Sequence, residues 1–159
     1  MSTNYLNENI DWEKYEELAK NIIFQVQKLE IDYLVPILRG GAILGLTLAS
    51  NLNLPTKYIR IKRSITNEIN SDFGEAQMIN SFDISEIKGK NILICEDTID
   101  TEETIKLAKK YLSEYKPNKI YIATLYNFSK NYDYISGEKM DEHKWVVFPW
   151  ERKLVQNEN

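Results

Sequence analysis

Cysteine is nearly absent from this chain of 159 residues: Cys95 stands alone. No disulfide can close within the chain, which fits a reducing compartment. Histidine is equally scarce, and the single His143 lies among charged neighbours, where a surface position is expected. No apolar run approaches the roughly 18 residues of a membrane-spanning helix. Residues 1–10 are polar and lack the charged-then-apolar order of a signal peptide. The expected location is the cytoplasm, with no membrane partner. Nor is there a surplus of positive charge, since 20 Lys and Arg against 24 Asp and Glu leave a net charge of −4. That balance argues against a nucleic-acid partner, which needs a basic face to neutralise phosphates. Lys57, Arg60, Lys62 and Arg63 form the densest basic cluster.

What is present is an ordinary globular composition, 43% apolar and 28% charged. A chain of this length buries roughly two-thirds of its unfolded surface. No repeat, low-complexity tract or composition break divides it, so a single domain over residues 1–159 is expected. Asp11 is a candidate N-cap, and Trp12, Tyr15, Leu18, Ala19, Ile22, Ile23, Val26 and Leu29 fall on one helical face. Residues 33–38 form a buried strand running into Arg39-Gly40-Gly41, a glycine turn. Residues 42–52 are apolar and helical, and 57–62 read as a second strand. Residues 64–85 are polar and weakly periodic, so they are either a mobile lid or a passive excursion. Residues 91–95 are a continuous apolar strand that leads into Glu96-Asp97-Thr98-Ile99-Asp100-Thr101. A helix follows, with Ile105, Ala108, Tyr111, Leu112 and Tyr115 inward, and residues 119–125 make another strand. The tail from residue 126 is aromatic and irregular.

Alternating helices and buried strands imply an α/β domain with a mostly parallel sheet flanked by helices. Ligands of such sheets bind beyond the carboxyl ends of the strands. Arg39-Gly40-Gly41 and residues 96–104 both fall at such ends and are expected to face one crevice. Two adjacent carboxylates there are costly unless something binds them. A ribose offers neighbouring hydroxyls, and a carboxylate accepts from both. Just beyond, Asp100, Thr101, Glu102, Glu103 and Thr104 open a helix whose free amides and dipole suit a phosphate. The segment thus has acceptors for a sugar and donors for its 5-phosphate. Taken singly, these features have plain readings as a solvated acidic loop and an N-cap; their order and placement together carry the functional reading. Cys95 is read as a small buried hydrophobe.

Residues 92–104, Ile-Leu-Ile-Cys-Glu-Asp-Thr-Ile-Asp-Thr-Glu-Glu-Thr, resemble the motif of the type I phosphoribosyltransferases. That motif is a run of apolar residues, two acids, two variable residues, then Asp-Thr-Gly-x-Thr. Leu38-Arg39-Gly40-Gly41 is similar to the family's pyrophosphate loop, and the order of elements fits from residue 12 to 125. Trp145-Val146-Val147-Phe148-Pro149-Trp150-Glu151 resembles the C-terminal hood of xanthine- and guanine-type enzymes. The resemblance implies a core over about residues 12–125 and a small irregular hood over about 126–155. It implies transfer of the 5-phosphoribosyl group from 5-phosphoribosyl 1-diphosphate (PRPP) to a nucleobase, a 6-oxopurine, with Mg²⁺ as cofactor. Glu96 and Asp97 would then hold the ribose hydroxyls, directly or through Mg²⁺. Asp100 would be the general acid/base. Residues 100–104 would cradle the 5-phosphate, Leu38 to Gly41 the pyrophosphate, and Trp145 and Val146 the base. Trp145 as core filler is the plain alternative. A homo-oligomer, dimer or tetramer, is implied; Leu44, Leu46 and Leu48 fit an interface or the monomer's own core.

Two departures stand out. Glu102 occupies the place of the family's glycine. A carboxylate about 6 Å from one phosphate charge costs roughly 3 kcal/mol at an effective dielectric of about 20, so Glu102 is expected to point into solvent. The lysine that contacts the 6-oxo group of purines in this family has only Lys130 as a counterpart, displaced along the chain. The alternative function on the same fold is a non-catalytic PRPP- or nucleotide-sensing regulator. A phospho-acceptor receiver domain is excluded by Arg39, whose sign is wrong for the acidic pair such a domain needs.

Overall fold

A computed structural model describes residues 7–63, 76–81, 83–142 and 144–152. His143 and residues 64–75, on which the lid reading mainly falls, lie outside the described residues. Strand β1 (Asn7–Asn9) precedes helix α1 (Trp12–Val26), which begins where the Asp11 carboxylate accepts the Lys14 amide at 2.8 Å. Tyr15, Leu18, Ala19, Ile22 and Val26 are buried as their spacing predicts. Trp12 is instead 54% exposed, edge-on to Tyr15, and Leu29 falls beyond the helix end.

Strand β2 (Tyr33–Leu38) leads into α2 (Gly41–Leu52), which stops at Asn53 in a left-handed conformation, φ 52°. Strands β3 (Ile59–Arg63) and β4 (Ala76–Ser81) form an antiparallel pair. Thus part of the polar stretch is ordered sheet. Strand β5 (Asn91–Ile99), helix α3 (Glu103–Ser113) and strand β6 (Lys119–Asn127) follow. The tail adds β7 (Ile135–Lys139) and β8 (Trp145–Val147).

The main sheet has the order β4-β3-β2-β5-β6-β7, parallel except for β4, and β1 and β8 pair separately in parallel. The α/β architecture expected from the sequence is therefore present. The tail is less irregular than its composition implies, because β7 extends the main sheet beside β6. Side chains of β5 alternate between two cores. Leu93 and Cys95 pack with α1 and α2, whereas Ile92 and Ile94 pack with α3. Leu44 and Leu48 of α2 are buried in the first of these, while Leu46 is exposed. From β2 the chain proceeds outward to β3; from β5 it proceeds the other way to β6. The switch falls between β2 and β5, the place where open α/β sheets bind ligands. Among the described residues, no helix is long and apolar enough to cross a membrane.

Candidate active site

The loop after β2 and the end of β5 fit against each other through glycine. A β carbon on Gly40 would collide with the Asp97 carboxylate, and one on Gly41 with the Cys95 carbonyl. Gly40 has ordinary right-handed torsions, φ −54° and ψ −48°. Close approach rather than backbone freedom therefore requires these glycines. The peptide between Leu38 and Arg39 is cis.

The sequence places Glu96 and Asp97 just after a strand, but β5 runs on through both acids to Ile99 and stays in register with β6 as far as Asn127. Glu96 is buried and Asp97 half-buried. The buried Thr124 hydroxyl donates to the Asp97 carbonyl at 3.0 Å, fixing the acid's backbone from β6. The Asp97 carboxylate accepts the Thr98 amide at 2.6 Å, and Glu96 accepts the Asp97 amide at 3.2 Å. Burial pushes Asp97 above the ordinary carboxylate range, up to about 6; the Thr98 amide opposes the rise and the Glu151 carboxylate adds to it. Burial likewise pushes the Cys95 thiol well above its usual range, in keeping with an inert core position. Two adjacent carboxylates, one of them destabilised in its charged form, suit a cation. Magnesium in particular takes one or two carboxylates and fills its remaining positions with water and substrate oxygens, so Glu96 and Asp97 fit it. Among the described residues, no group of three or more acidic, His or Cys side chains forms a fuller cage.

The helix expected to open at Asp100 opens later: α3 starts at Glu103, with Asp100 and Thr101 in the preceding loop. Glu102 is its N-cap residue in the left-handed conformation, φ 63°. This backbone is disfavoured by about 1–2 kcal/mol for a residue with a β carbon. The Glu102 carboxylate does not simply face solvent as its charge led us to expect. It is half-buried and accepts the Tyr134 hydroxyl at 2.5 Å.

These segments enclose a cavity of about 290 Å³. Leu38, Arg39 and Gly40, the acids Glu96 and Asp97, and residues 100–104 all line it. Trp145 and Val146 of β8 line it as well. The size suits a small-molecule ligand.

A family model described as the phosphoribosyl transferase domain matches residues 2–157. The chain belongs to the phosphoribosyl transferase domain family. The human protein named phosphoribosyltransferase domain-containing protein 1 is 32% identical over 124 residues, covering 71% of this chain and 53% of that one. Human hypoxanthine-guanine phosphoribosyltransferase is 29% identical over 124 residues, covering 71% and 55%. The chain thus spans about half the length of the curated relatives it matches. Among solved structures, the purine phosphoribosyltransferase from Pyrococcus horikoshii superposes with a TM-score of 0.75 at 21% identity, covering 96% of this chain and 99% of that one.

Within this phosphoribosyl transferase domain, most residues singled out by sequence converge on the one cavity. Gly41 does not line it and lies buried behind, against Cys95. Lys130 is exposed and also off the lining. The cation on that side is Lys144, which lines the cavity beside Trp145 and pairs with Glu8 at 3.4 Å. Sequence reasoning passed over Lys144 and Phe128, and quoted Glu151 in the hood without giving it a role. Lys144 had a signal in its adjacency to Trp145. Phe128 is placed by a turn in which Asn127 accepts both the amide and the hydroxyl of Ser129, a spacing readable as an Asx turn.

Proposed function

We propose that this chain transfers the 5-phosphoribosyl group of PRPP to a nucleobase, a 6-oxopurine, giving a nucleoside monophosphate and pyrophosphate. One observation carries the reading: a single cavity is lined by a glycine loop with Arg39, an acidic pair, a helix start and a part-exposed tryptophan. Those four chemistries are the ones that a diphosphate, a ribose, a 5-phosphate and a base require. Arg39 and the loop backbone would take the diphosphate, Glu96 and Asp97 the ribose hydroxyls, and residues 100–104 the phosphate. Trp145, 46% exposed, would stack on the purine with Val146 beside it. Lys144 is the better placed cation for a 6-oxo oxygen, in preference to Lys130.

In the reaction a purine ring nitrogen forms the new bond to the anomeric carbon as the bond to the diphosphate oxygen breaks. The developing positive charge on the sugar favours fixed carboxylates nearby, and Glu96 and Asp97 provide them without reorganising. Asp100 would exchange the proton on the purine. Mg²⁺, held by Glu96 and Asp97, would neutralise the departing diphosphate. We take the chain as one catalytic unit working in the cytoplasm, with a core over about residues 12–125 and a hood over about 126–155, and as a subunit of a dimer or tetramer.

Pyrophosphate release from PRPP, followed with hypoxanthine, guanine, xanthine and uracil in the presence and absence of Mg²⁺, tests the proposal. Turnover is expected with at least one oxopurine, with Mg²⁺, and not with uracil. Asp100→Asn is expected to lower it by about 10²–10⁴-fold. Tight PRPP binding with no turnover on any base would overturn the catalytic reading in favour of a PRPP sensor.

A further inference from the structure

Glu102 sets this chain a problem that its own fold answers. Its carboxylate belongs to a residue lining the cavity at the start of α3, where the phosphate end of a ribose phosphate would dock. Yet its hydrogen-bond partner, Tyr134, does not line that cavity. Tyr134 lies in the connection between β6 and β7, 32 residues away in sequence, and its ring packs against the core on the α3 side. The connection is itself braced: the Asn131 side chain accepts the Asp133 amide at 3.0 Å. Asn127 donates to the Asn131 carbonyl at 2.9 Å. A chain of fixed polar contacts thus ends on Glu102, the acid that stands where a glycine would let a phosphate approach.

We propose that Tyr134 is a positioning residue that draws the Glu102 carboxylate out of the phosphate cradle, so that this chain keeps its affinity for a phosphorylated ribose despite an acid where glycine would serve. The inference rests on the function proposed above. Burial, and after it the Glu102 contact, raise the pKa of the Tyr134 hydroxyl to about 12. It therefore remains a donor far above neutral pH. Freed from Tyr134, the carboxylate can swing toward the helix start, where the same amides attract it. It would then compete with the ligand for that position as well as repel it.

Calorimetric titration of the full chain with ribose 5-phosphate, in low and high salt, tests this. Tyr134→Phe deletes only the hydroxyl and keeps the packed ring. It is expected to weaken binding about tenfold at low salt, with a smaller loss at high salt, as screening of a like charge requires. Glu102→Gln is expected to bind at least as tightly as wild type. The double variant should behave like Glu102→Gln, because without the charge the hydroxyl has nothing to restrain. Wild-type binding that Tyr134→Phe leaves unchanged would overturn the latch alone. A double variant as weak as Tyr134→Phe would also overturn it, since the loss would then come from the loop. No binding of ribose 5-phosphate or PRPP by the wild type would overturn the proposed function, and this inference with it.

Discussion

At Gly41 a β carbon would be built onto the carbonyl oxygen of Cys95, and both residues are buried in the layer between α2 and β5. The obstacle is backbone in the middle of a sheet, which cannot rotate aside as a flexible side chain would. Gly41→Ala is therefore expected to cost about 1–3 kcal/mol of stability by overpacking, measurable as a lower urea midpoint at unchanged slope. A neutral outcome would mean that the loop is not held against β5 as described. Asp97 presents the opposite case, a residue whose native form is unfavourable for the fold. Its raised pKa means that the folded chain binds a proton more readily than the unfolded one, so its ionisation destabilises the fold as pH rises from about 4 through about 6. Asp97→Asn keeps an oxygen for the Thr98 amide and removes the charge. In metal-free buffer it should match wild type near pH 4 and exceed it by on the order of 1–3 kcal/mol above pH 7. The same variant should bind PRPP more weakly. Equal stability at both pH values would remove the electrostatic strain we assign to this acid.

Element by element, legibility in the sequence followed how local the cause was. Helix α1 was readable because its cap and its stripe lie within the segment itself. The apolar run of β5 was equally plain, but the continuation of the strand through Glu96 and Asp97 was not. It is imposed by pairing with β6, 28 residues on in register, and by Thr124 reaching the Asp97 carbonyl, 27 residues away. Strand β7, Ile-Ser-Gly-Glu-Lys, has no alternation of its own, and the segment joining it to β6 is too short to carry the usual crossover helix. Glu102 could be flagged as a misfit from sequence, but nothing local points to Tyr134. The β6–β7 connection also has its own test. Asn127 is fully buried, accepts from Ser129 twice and donates to Asn131. Removing it leaves several buried polar groups without partners at once. Asn127→Ala is expected to lose about 2–4 kcal/mol, read by thermal or urea unfolding. A loss within about 0.5 kcal/mol, the range of ordinary surface changes, would show that the turn is held by its backbone alone.

Across the whole molecule, the first and last strands of the described residues pair with each other, and β8 lines the cavity. β1 is paired with β8, Asn7 to Trp145 through Asn9 to Val147, and Glu8 reaches Lys144. Arg152 donates to the Ile10 carbonyl at 2.5 Å, and the Ile10 amide to the Val147 carbonyl at 3.1 Å. The wall carrying Trp145 is a three-residue strand whose pairing partner is β1, whereas the acidic pair and the helix start are fixed within the main sheet. The two halves of the site should therefore fail separately. A chain lacking residues 1–9 is expected to bind ribose 5-phosphate within about twofold of the full chain. Its KM for the oxopurine should rise by about tenfold or more, since lost uniform binding appears in KM rather than kcat. Parallel calorimetry with ribose 5-phosphate and steady-state kinetics with varied base distinguish the two. Equal loss of both affinities would mean that the amino-terminal strand supports the sheet itself, and that the hood is not a separable base-binding wall.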